Sequence, residues 1–366
     1  MAKISVFDED SARRVARKIG MDPQVLRQVY LDFLKHGRGA AFALGQLAGD
    51  LRKKVKAEVD FHCLEFCERH DSQRDGASKL IFKTADGFAI ETVILRVDSG
   101  RTSLCVSSQV GCAAGCLFCA TGDMGISRNL SRDEILDQVA QANEILCPEH
   151  RSIRNVVFMG MGEPFHNEDA VADAVERLTA PRGFGFSAQK VLVSTVGEVE
   201  AMKRFARRFP AVNLALSLHA ARDEVRRRLV PLAKKTSVSE LKDVVRETGI
   251  IRQRPTMIEY VMLAGENDRD EDFEALVAWL QGLDVHVNLI PFNEGAASLD
   301  LRATPLDRCR KFSKRLKDRG FRVTLRYSLG ADIAAACGQL VRSRAAGRGG
   351  SHNPLGRAVD PAHPAE

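Results

Sequence analysis

Three cysteines, Cys112, Cys116 and Cys119, lie within eight residues and are separated by three and then two residues. A loop with this spacing can wrap around one inorganic cluster, which proteins usually hold through thiolates. Because three thiolates leave one iron of a four-iron cluster without a protein ligand, that iron could bind another molecule. The triplet is therefore a candidate reaction centre rather than a structural staple.

The composition is that of a soluble globular protein, with 45% hydrophobic and 28% charged residues in a chain of 366. This length suffices for one large domain and a smaller one. No apolar run reaches the roughly 18 to 20 residues of a membrane span, and the N-terminus lacks the apolar stretch of a secretory signal. We therefore expect a cytoplasmic protein that does not bind membranes. In a reducing compartment, nine cysteines favour metal binding or catalysis over a disulfide framework.

The net charge of +6 permits a polyanionic partner without requiring one. The basic residues are clustered, in residues 13–18, 52–54, 226–228 and 311–319. A solvated helix face explains any single cluster more often than a binding site does. Several clusters on one chain make a nucleic-acid partner plausible.

Two smaller regions precede the cysteine triplet. Residues 1–75 predict a helical N-terminal domain, with helices over 25–35 and 44–59 and a stop at Gly37. Residues 76–101 predict a β-hairpin, because two β-rich segments flank Asp86-Gly87, a strong turn signal. Glu91 lies in the second strand of this hairpin, where it is either a surface carboxylate or a functional one.

Strand-like and helix-like segments alternate over residues 102–341. The strands are short apolar runs, as expected when both faces are buried, and repeated βα units imply parallel strands in a wound sheet or barrel. We predict an α/β fold, a partial (β/α)6 barrel, with a disordered tail over 342–366. The predicted strands are 103–107, 155–159, 190–194, 212–218, 257–262, 286–291 and 322–326, and the predicted helices are 132–146, 169–178, 199–207, 238–248, 270–281 and 305–317.

Polar and glycine residues follow several of these strands at their carboxyl ends. In βα barrels the active site forms at that face. A glycine pair there, Gly160 and Gly162, could let a ligand approach the backbone closely. The strand ends together predict one ligand site, built from residues 159–164, 194–197, 217–219 and 291–293.

The triplet on a loop after the first barrel strand resembles that of the radical S-adenosylmethionine superfamily. Seven motifs, in the same order as in the family, are similar to those of the RlmN/Cfr family of RNA methyltransferases, and the likeness covers roughly residues 78–341. The motifs are CVSSQVGC, CATGDMGISRNL, NVVFMGMGEP, VSTVG, LALSLHAARDEVR, VNLIPFN and ADIAAACGQL.

The resemblance implies a radical S-adenosylmethionine barrel in which Cys112, Cys116 and Cys119 ligate a [4Fe-4S] cluster. The open iron would chelate S-adenosylmethionine, two molecules of which are used per turnover. The positions that match the family's cofactor-binding residues are Gly162, Glu163, Ser194, Ser217, Leu218, His219 and Asn293.

The resemblance also implies three catalytic residues. Cys337, which without its motif would be a buried apolar thiol, accepts a methyl group from the first S-adenosylmethionine. The second supplies a radical that abstracts hydrogen from this group, and the methylene radical adds to adenine. Glu91 then acts as proton acceptor, and Cys105 attacks the sulfur of Cys337 to form a disulfide and release the product. Cys147 and Cys309 match no catalytic motif.

The implied substrate is an adenosine of 23S ribosomal RNA in the peptidyl transferase centre, and some family members also modify tRNA. The family divides into C2 and C8 types. GEPFHN and NLIPFN are closer to the C2 type, whereas ATGDMGISRNL is closer to the C8 type. We favour C2 because it is the commoner activity. We also expect RNA contacts from the N-terminal domain and residues 226–228, a monomer, and a reductant protein such as flavodoxin.

Three other interpretations stay open. A different radical enzyme acting on a small molecule or peptide would share the triplet but not the set of Glu91, Cys105 and Cys337. A non-enzymatic RNA-binding iron-sulfur protein would bind RNA without forming 5′-deoxyadenosine. A structural zinc protein would need a fourth ligand, and the nearest downstream cysteine, Cys147, is poorly placed.

Overall fold

The computed structural model describes residues 3–97, 99–293 and 301–340, and the predicted tail over 342–366 lies outside them. Four α-helices form the N-terminal region, and the second continues into a π-helical turn over Leu31–Lys35. The elements are β1 (Ile4–Ser5), α1 (Glu9–Lys18), α2 (Pro23–Tyr30), α3 (Gly39–Gly45), α4 (Gly49–Glu58) and β2 (Val59–Asp60), with β1 and β2 paired in parallel.

The N-terminal helices begin where the sequence offers caps. The Asp8 carboxylate accepts the Ser11 amide hydrogen, and the Asp22 carboxylate accepts that of Gln24. The helix predicted over 25–35 is confirmed, and Gly37 follows it with φ of +59°. Residues 44–59 contain the end of α3 and all of α4 instead of one helix, because the chain turns between them.

The helical region is shorter than predicted. Its last helix ends at Glu58, and Glu65–Asp71 forms a strand, β3, so the prediction that residues 1–75 are helical is wrong at its C-terminal end. The predicted hairpin is confirmed as β4 (Ala77–Lys83) and β5 (Ala89–Arg96), and Gly87 has φ of +88° in the turn. All three strands are antiparallel and continue the barrel sheet.

The barrel follows the predicted alternation of strands and helices. Two short antiparallel strands and one short helix lie around the cysteine triplet, and each predicted barrel strand and helix forms. The strands are β6 (Thr102–Cys105), β7 (Gln109–Gly111), β8 (Ile126–Asn129), β9 (Asn155–Phe158), β10 (Val191–Thr195), β11 (Asn213–Ser217), β12 (Thr256–Met262), β13 (Val285–Pro291) and β14 (Arg322–Leu325). The helices are α5 (Ala120–Asp123), α6 (Arg132–Leu146), α7 (Glu168–Thr179), α8 (Val199–Arg208), α9 (Asp223–Leu229), α10 (Val238–Arg252), α11 (Asp270–Leu280) and α12 (Leu306–Asp318).

One ten-stranded sheet organises the described residues. Its order is β14-β13-β12-β11-β10-β9-β6-β5-β4-β3, so β3 and β14 form the two edges. The strands from β6 to β14 in this order are parallel neighbours. Their carboxyl ends therefore lie along one rim, as predicted for the ligand site.

Helix α6 joins the hairpin to the barrel. It begins with a capping box between Ser131 and Glu134. The buried amide of Gln138 accepts the Thr92 hydroxyl and the Ser107 amide hydrogen, and it donates to the Ser107 carbonyl. These bonds fix β5 against the segment that leads into the cysteine loop.

The N-terminal region is attached to the same helix. His62 contacts Asp137 at 2.7 Å and Glu144 at 3.1 Å. The amides of Cys63 and Leu64 donate to the other oxygen of Asp137. Within the described ranges, every helix falls short of the length and apolar character that a bilayer span requires.

Candidate active site

The carboxyl ends of the parallel strands surround a cavity of about 160 Å³. It has the position predicted for the ligand site, and most of the predicted site residues line it. These are Cys112, Cys116, Cys119, Gly162, Glu163, Ser194, Ser217, His219, Asn293 and Cys337. Sequence reasoning thus grouped side chains that are up to 225 positions apart in the chain (337 − 112).

The cysteine loop runs from β7 to α5 along one wall of this cavity. Gly111 and Gly115 have φ of +84° and +65°, which the tight loop requires. Burial raises the pKa of the Cys112 thiol to about 12 and also raises that of Cys116, where the charges of Cys119 and Cys112 add to the effect. A bound cation would be needed to hold these groups as thiolates, and three thiols that line one cavity fit the ligand set of an iron-sulfur cluster. No three Cys, His, Asp or Glu side chains in the described parts of the chain converge on a single-ion site.

The glycines of the Gly160-Met161-Gly162 turn serve packing within the chain. A Cβ on Gly160 would lie 2.6 Å from the Val106 carbonyl oxygen, and one on Gly162 would lie 2.7 Å from the Gln109 side chain. Gly162 also has φ of +105°. The backbone that approaches these two glycines closely is therefore the segment around Val106 and Gln109, which leads to the cysteine loop.

Glu163 ties two strand ends together. One carboxylate oxygen accepts the Phe165 amide hydrogen at 3.0 Å, and the other accepts that of Val196 at 2.8 Å. Burial raises the pKa of Glu163, although these two hydrogen bonds oppose the shift. The carboxyl group faces the cavity, where it can accept a further hydrogen bond.

Two serine hydroxyls and one amide side chain also line this cavity. The hydroxyl oxygens of Ser194 and Ser217 are 3.4 Å apart and contact each other only weakly. Asn293 donates to the Ser328 hydroxyl and to the Cys337 carbonyl, so it touches the segment that carries Cys337. Hydroxyls and an amide in such positions fit the ribose and amino-acid groups of S-adenosylmethionine.

His219 is neutral and fixed. Its Nδ1 accepts the Val261 amide hydrogen at 3.1 Å, and its ring packs edge-on against Phe118 with centroids 4.6 Å apart. Burial, with a smaller effect of Arg226, lowers the pKa of His219 to about 3. Leu218 lies beside it with a fully buried side chain that does not line the cavity, so it can contribute only its backbone there.

Arg226 is a structural residue. It is buried, and its guanidinium donates to the carbonyls of Leu218 and Val196 at the ends of neighbouring strands. The prediction that residues 226–228 contact RNA is therefore wrong for Arg226. Arg227 and Arg228 are exposed, although Arg228 pairs with Glu266 and Arg227 lies 3.8 Å from Asp223.

A second cavity of about 60 Å³ adjoins the first and is lined by both Cys105 and Cys337. The two cysteines are thus brought to one place, as the disulfide prediction requires. Burial raises the pKa of Cys105 to about 12, and the charge of Cys337 adds to the shift whereas Arg326 opposes it. Six residues line both cavities: Cys119, Met159, Gly160, Arg326, Cys337 and Gly338.

Glu91 is fully buried, so the alternative of a surface carboxylate is wrong. It lies two residues before Val93, which pairs with Cys105 across the sheet and lines the second cavity. Glu91 therefore lies on the same face of the sheet as Cys105, although it lines neither cavity. Its carboxylate forms an ion pair with Lys79 at 3.3 Å.

Three charged residues near the site were not identified from the sequence. Lys79 lies on β4, Glu259 on β12, and Arg326 directly after β14. Glu259 is buried, and one of its oxygens accepts from Asn288 whereas the other has no hydrogen-bond partner in the described parts of the chain. An ionisable residue at the carboxyl end of a barrel strand was the available signal for Arg326.

The fold, the cysteine loop and the strand-end cavity define a radical S-adenosylmethionine enzyme. Residues 106–280 match the family model of the Radical SAM superfamily. A crystal structure of a radical SAM methyltransferase from Sphaerobacter thermophilus has a TM-score of 0.86 and 36% sequence identity, covering 92% of this chain and 99% of the other.

Two curated relatives narrow the assignment. A probable RNA methyltransferase of Rhodopirellula baltica is 48% identical over 341 residues, which cover 93% of this chain and 88% of the relative. A dual-specificity RNA methyltransferase RlmN of Syntrophotalea carbinolica is 42% identical over 273 residues, which cover 75% and 72%. The chain therefore belongs to the RlmN/Cfr family and is a radical S-adenosylmethionine RNA methyltransferase of the RlmN type. This family implies a [4Fe-4S] cluster, S-adenosylmethionine and an RNA substrate.

Proposed function

We propose that this protein methylates a ring carbon, C2 in preference to C8, of an adenosine in the peptidyl transferase centre of 23S ribosomal RNA. We also propose tRNA as a second substrate. The supporting observation for the chemistry is the cavity shared by Cys105 and Cys337, which adjoins the cavity lined by the cysteine triplet. The proposal of two RNA substrates is supported by the relatives, which are named dual-specificity RNA methyltransferase RlmN.

The first cavity would hold the cluster and the cofactor. Cys112, Cys116 and Cys119 would ligate the cluster, and Glu163 would accept a hydrogen bond from the cofactor's amino group. When bound, the cluster and two molecules of S-adenosylmethionine per turnover supply a methyl group and a carbon radical. The remaining cofactor contacts would come from Gly162, Ser194, Ser217, Leu218, His219 and Asn293.

The second cavity would carry the methyl group to the RNA. Cys337 holds it as S-methylcysteine and becomes joined to the adenine ring through a methylene bridge. The adduct carries an unpaired electron and must lose one electron, which the bound cluster would take back, and Glu91 accepts the proton from the substituted ring carbon. The Cys105 thiolate then attacks the Cys337 sulfur and breaks its bond to the methylene carbon, which takes up a proton as the product leaves. The Cys105–Cys337 disulfide requires external reduction before the next turnover, and a protein such as flavodoxin would supply the electrons for the radical step.

We further propose that the N-terminal helical region contacts the RNA backbone. A groove between α1, α2 and the loop after α7 is lined by five cations and one carboxylate, Glu9, with which Arg13 pairs. The other four cations are Arg17, Arg27, Lys35 and Arg182. None of the four lies within ion-pair distance of a carboxylate in the described ranges, unlike most surface arginines of this protein. Cations without protein partners are available to phosphates.

The decisive experiment is anaerobic reconstitution with RNA that lacks the native modification, followed by mass spectrometry of the nucleosides. We expect 2-methyladenosine from the intact protein and none from Cys337→Ala. Formation of 8-methyladenosine would reverse the preference for C2. RNA binding without methylated adenosine or 5′-deoxyadenosine would contradict the proposal and favour a non-enzymatic RNA-binding protein.

A further inference from the structure

Arg326 lies where the two cavities meet. It lines both of them, and it is the single charged residue among the described residues of the second cavity. A molecule that extends from the first cavity to Cys105 therefore lies beside this guanidinium. The backbone amide of Arg326 donates to the Leu289 carbonyl at 2.8 Å, which fixes the residue beside the end of β13.

The donors of Arg326 are largely unused by the protein. Its one side-chain contact in the described structure is from Nη1 to the Met159 sulfur at 3.7 Å, and sulfur is a weak acceptor. No carboxylate of the described residues lies within ion-pair distance of it. Arg226 provides the contrast, because its guanidinium donates to the Leu218 and Val196 carbonyls. A guanidinium has five N–H donors, so Arg326 has several to offer a ligand.

Arg326 remains a cation in this position. The charge of Cys337 raises the pKa of Arg326 against the effect of burial, and the charges of Glu259 and Cys105 act in the same direction. The guanidinium is thus close to the sulfur that would carry the methyl group. A ligand that reacts at the Cys337 sulfur is therefore close to the positive charge of Arg326.

The chemistry of the substrate identifies the acceptor. The ring carbon that reacts must lie against the group on Cys337. Both candidate carbons of adenine, C2 and C8, are bonded to a ring nitrogen with a free lone pair. A hydrogen bond from a cation to that nitrogen draws electrons from the adjacent carbon, which favours addition of a carbon radical there. Addition leaves the unpaired electron on this nitrogen, so the donor of Arg326 contacts the ring atom that changes during the step.

We propose that Arg326 binds the target adenine by donating a hydrogen bond to the ring nitrogen next to the methylated carbon. This inference rests on the proposed function, since it assumes that Cys337 transfers a methyl group to adenine. It assigns Arg326 a role after methylation of Cys337 and before release by Cys105. The residue both orients the base and activates the carbon.

The test compares Arg326→Met and Arg326→Lys with Arg322→Met, a matched control on the exposed part of the same strand, where Arg322 pairs with Asp284. Each reconstituted protein is assayed for S-methylation of Cys337 by peptide mass spectrometry and for RNA methylation in a single turnover. We expect Arg326→Met to keep S-methylation but to lower the RNA methylation rate roughly 10- to 100-fold. Arg326→Lys should restore part of the rate, and the control should match the parent.

Substituted RNA makes the assignment specific. The ring nitrogen next to the methylated carbon is replaced by CH, as 1-deaza- or 3-deazaadenosine for C2 and 7-deazaadenosine for C8. One of these RNAs should slow the parent as much as Arg326→Met does, and it should not slow that variant further. The inference would be overturned if every analogue slowed Arg326→Met by the same factor as it slows the parent. A parent-like rate of RNA methylation for Arg326→Met, or loss of S-methylation in this variant, would also overturn it. If the parent itself methylates Cys337 but never RNA, the proposed function fails first, and the role of Arg326 fails with it.

Discussion

Lys79 connects the candidate base, Glu91, to the segment that carries Cys337, the proposed methyl carrier. Its ammonium group is 3.3 Å from the Glu91 carboxylate and donates to the Ala334 carbonyl at 3.4 Å. Ala334 has φ of +49° and lies three residues before Cys337. One buried cation therefore contacts both the group that would remove a proton and the backbone next to the sulfur.

Loss of this cation should affect proton removal more than methyl transfer. In Lys79→Met we expect S-methylation of Cys337 to continue, because this step does not use Glu91. The covalent adduct of enzyme and RNA should accumulate, and product release should slow roughly 10- to 100-fold, since a buried charged contact is lost. Denaturing gel electrophoresis with labelled RNA measures the adduct. Lys83→Met, at the exposed end of the same strand, serves as the control, and release at the parent's rate from Lys79→Met would contradict the prediction.

Single residues also show where the sequence was informative. Glu163, Ser194 and Ser217 stood out because they lie at or shortly after the carboxyl ends of apolar strands, which must share one rim, and the family resemblance assigned them to the cofactor. Lys79 and Arg326 were not, because their importance lies in contacts with Glu91 and Cys337 that no local pattern encodes. The RNA contact predicted for Arg226 was wrong because a run of three arginines has the same sequence pattern whether all three are exposed or one is buried.

At the scale of elements, the barrel strands were predictable and the edge strand was not. Segments such as β11 and β13 are short apolar runs bounded by turns, which is the pattern of a strand with two buried faces. Strand β3 has the sequence EFCERHD and is mostly exposed. Its charged side chains suit a sheet edge, but its extended conformation comes from pairing with β4, which sequence periodicity does not report.

The junction between the N-terminal region and α6 gives a prediction on stability. Burial alone would lower the pKa of His62, but its contacts with Asp137 and Glu144 raise the pKa to about 10. The charged imidazole therefore stabilises the fold fully below an unfolded pKa of about 6.5, and this stabilisation is lost as the pH rises through about 10.

We expect His62→Gln to lower the free energy of unfolding by about 2 kcal/mol at pH 6. The difference from the parent should shrink steadily between pH 6.5 and 10. Urea denaturation of both proteins at several pH values measures it. His70→Gln is the control substitution, because His70 is exposed on β3 and also pairs with a carboxylate, Glu68, at 2.9 Å. If the difference in free energy of unfolding between His62→Gln and the parent does not change with pH, the imidazole stabilises the fold by packing and not by its charge.

At the scale of the whole molecule, the two regions that we propose for RNA contact, the mouth and the basic groove, lie at opposite ends of the barrel. The mouth is at the carboxyl ends of the strands. The basic groove includes residues 181–183, which precede β10 and therefore lie at its amino end. A barrel strand of five to seven residues spans roughly 20 Å. An RNA that places a base in the mouth must extend at least this far around the protein to reach the groove.

Charge reversal in the groove should therefore act only on large RNAs. We expect the double variant Arg17→Glu and Arg27→Glu to bind folded ribosomal RNA fragments and tRNA more weakly. The binding constant should also depend less steeply on salt concentration, by the amount expected for the loss of about two phosphate contacts. Binding and methylation of a short stem-loop that carries the same target adenosine should not change, because it fills the mouth without reaching the groove. Arg246→Glu with Arg310→Glu changes the net charge equally outside the groove and should leave both RNAs unaffected. An equal loss for short and long RNA would place the two cations near the target base instead, whereas no loss for either would exclude the groove as an RNA site.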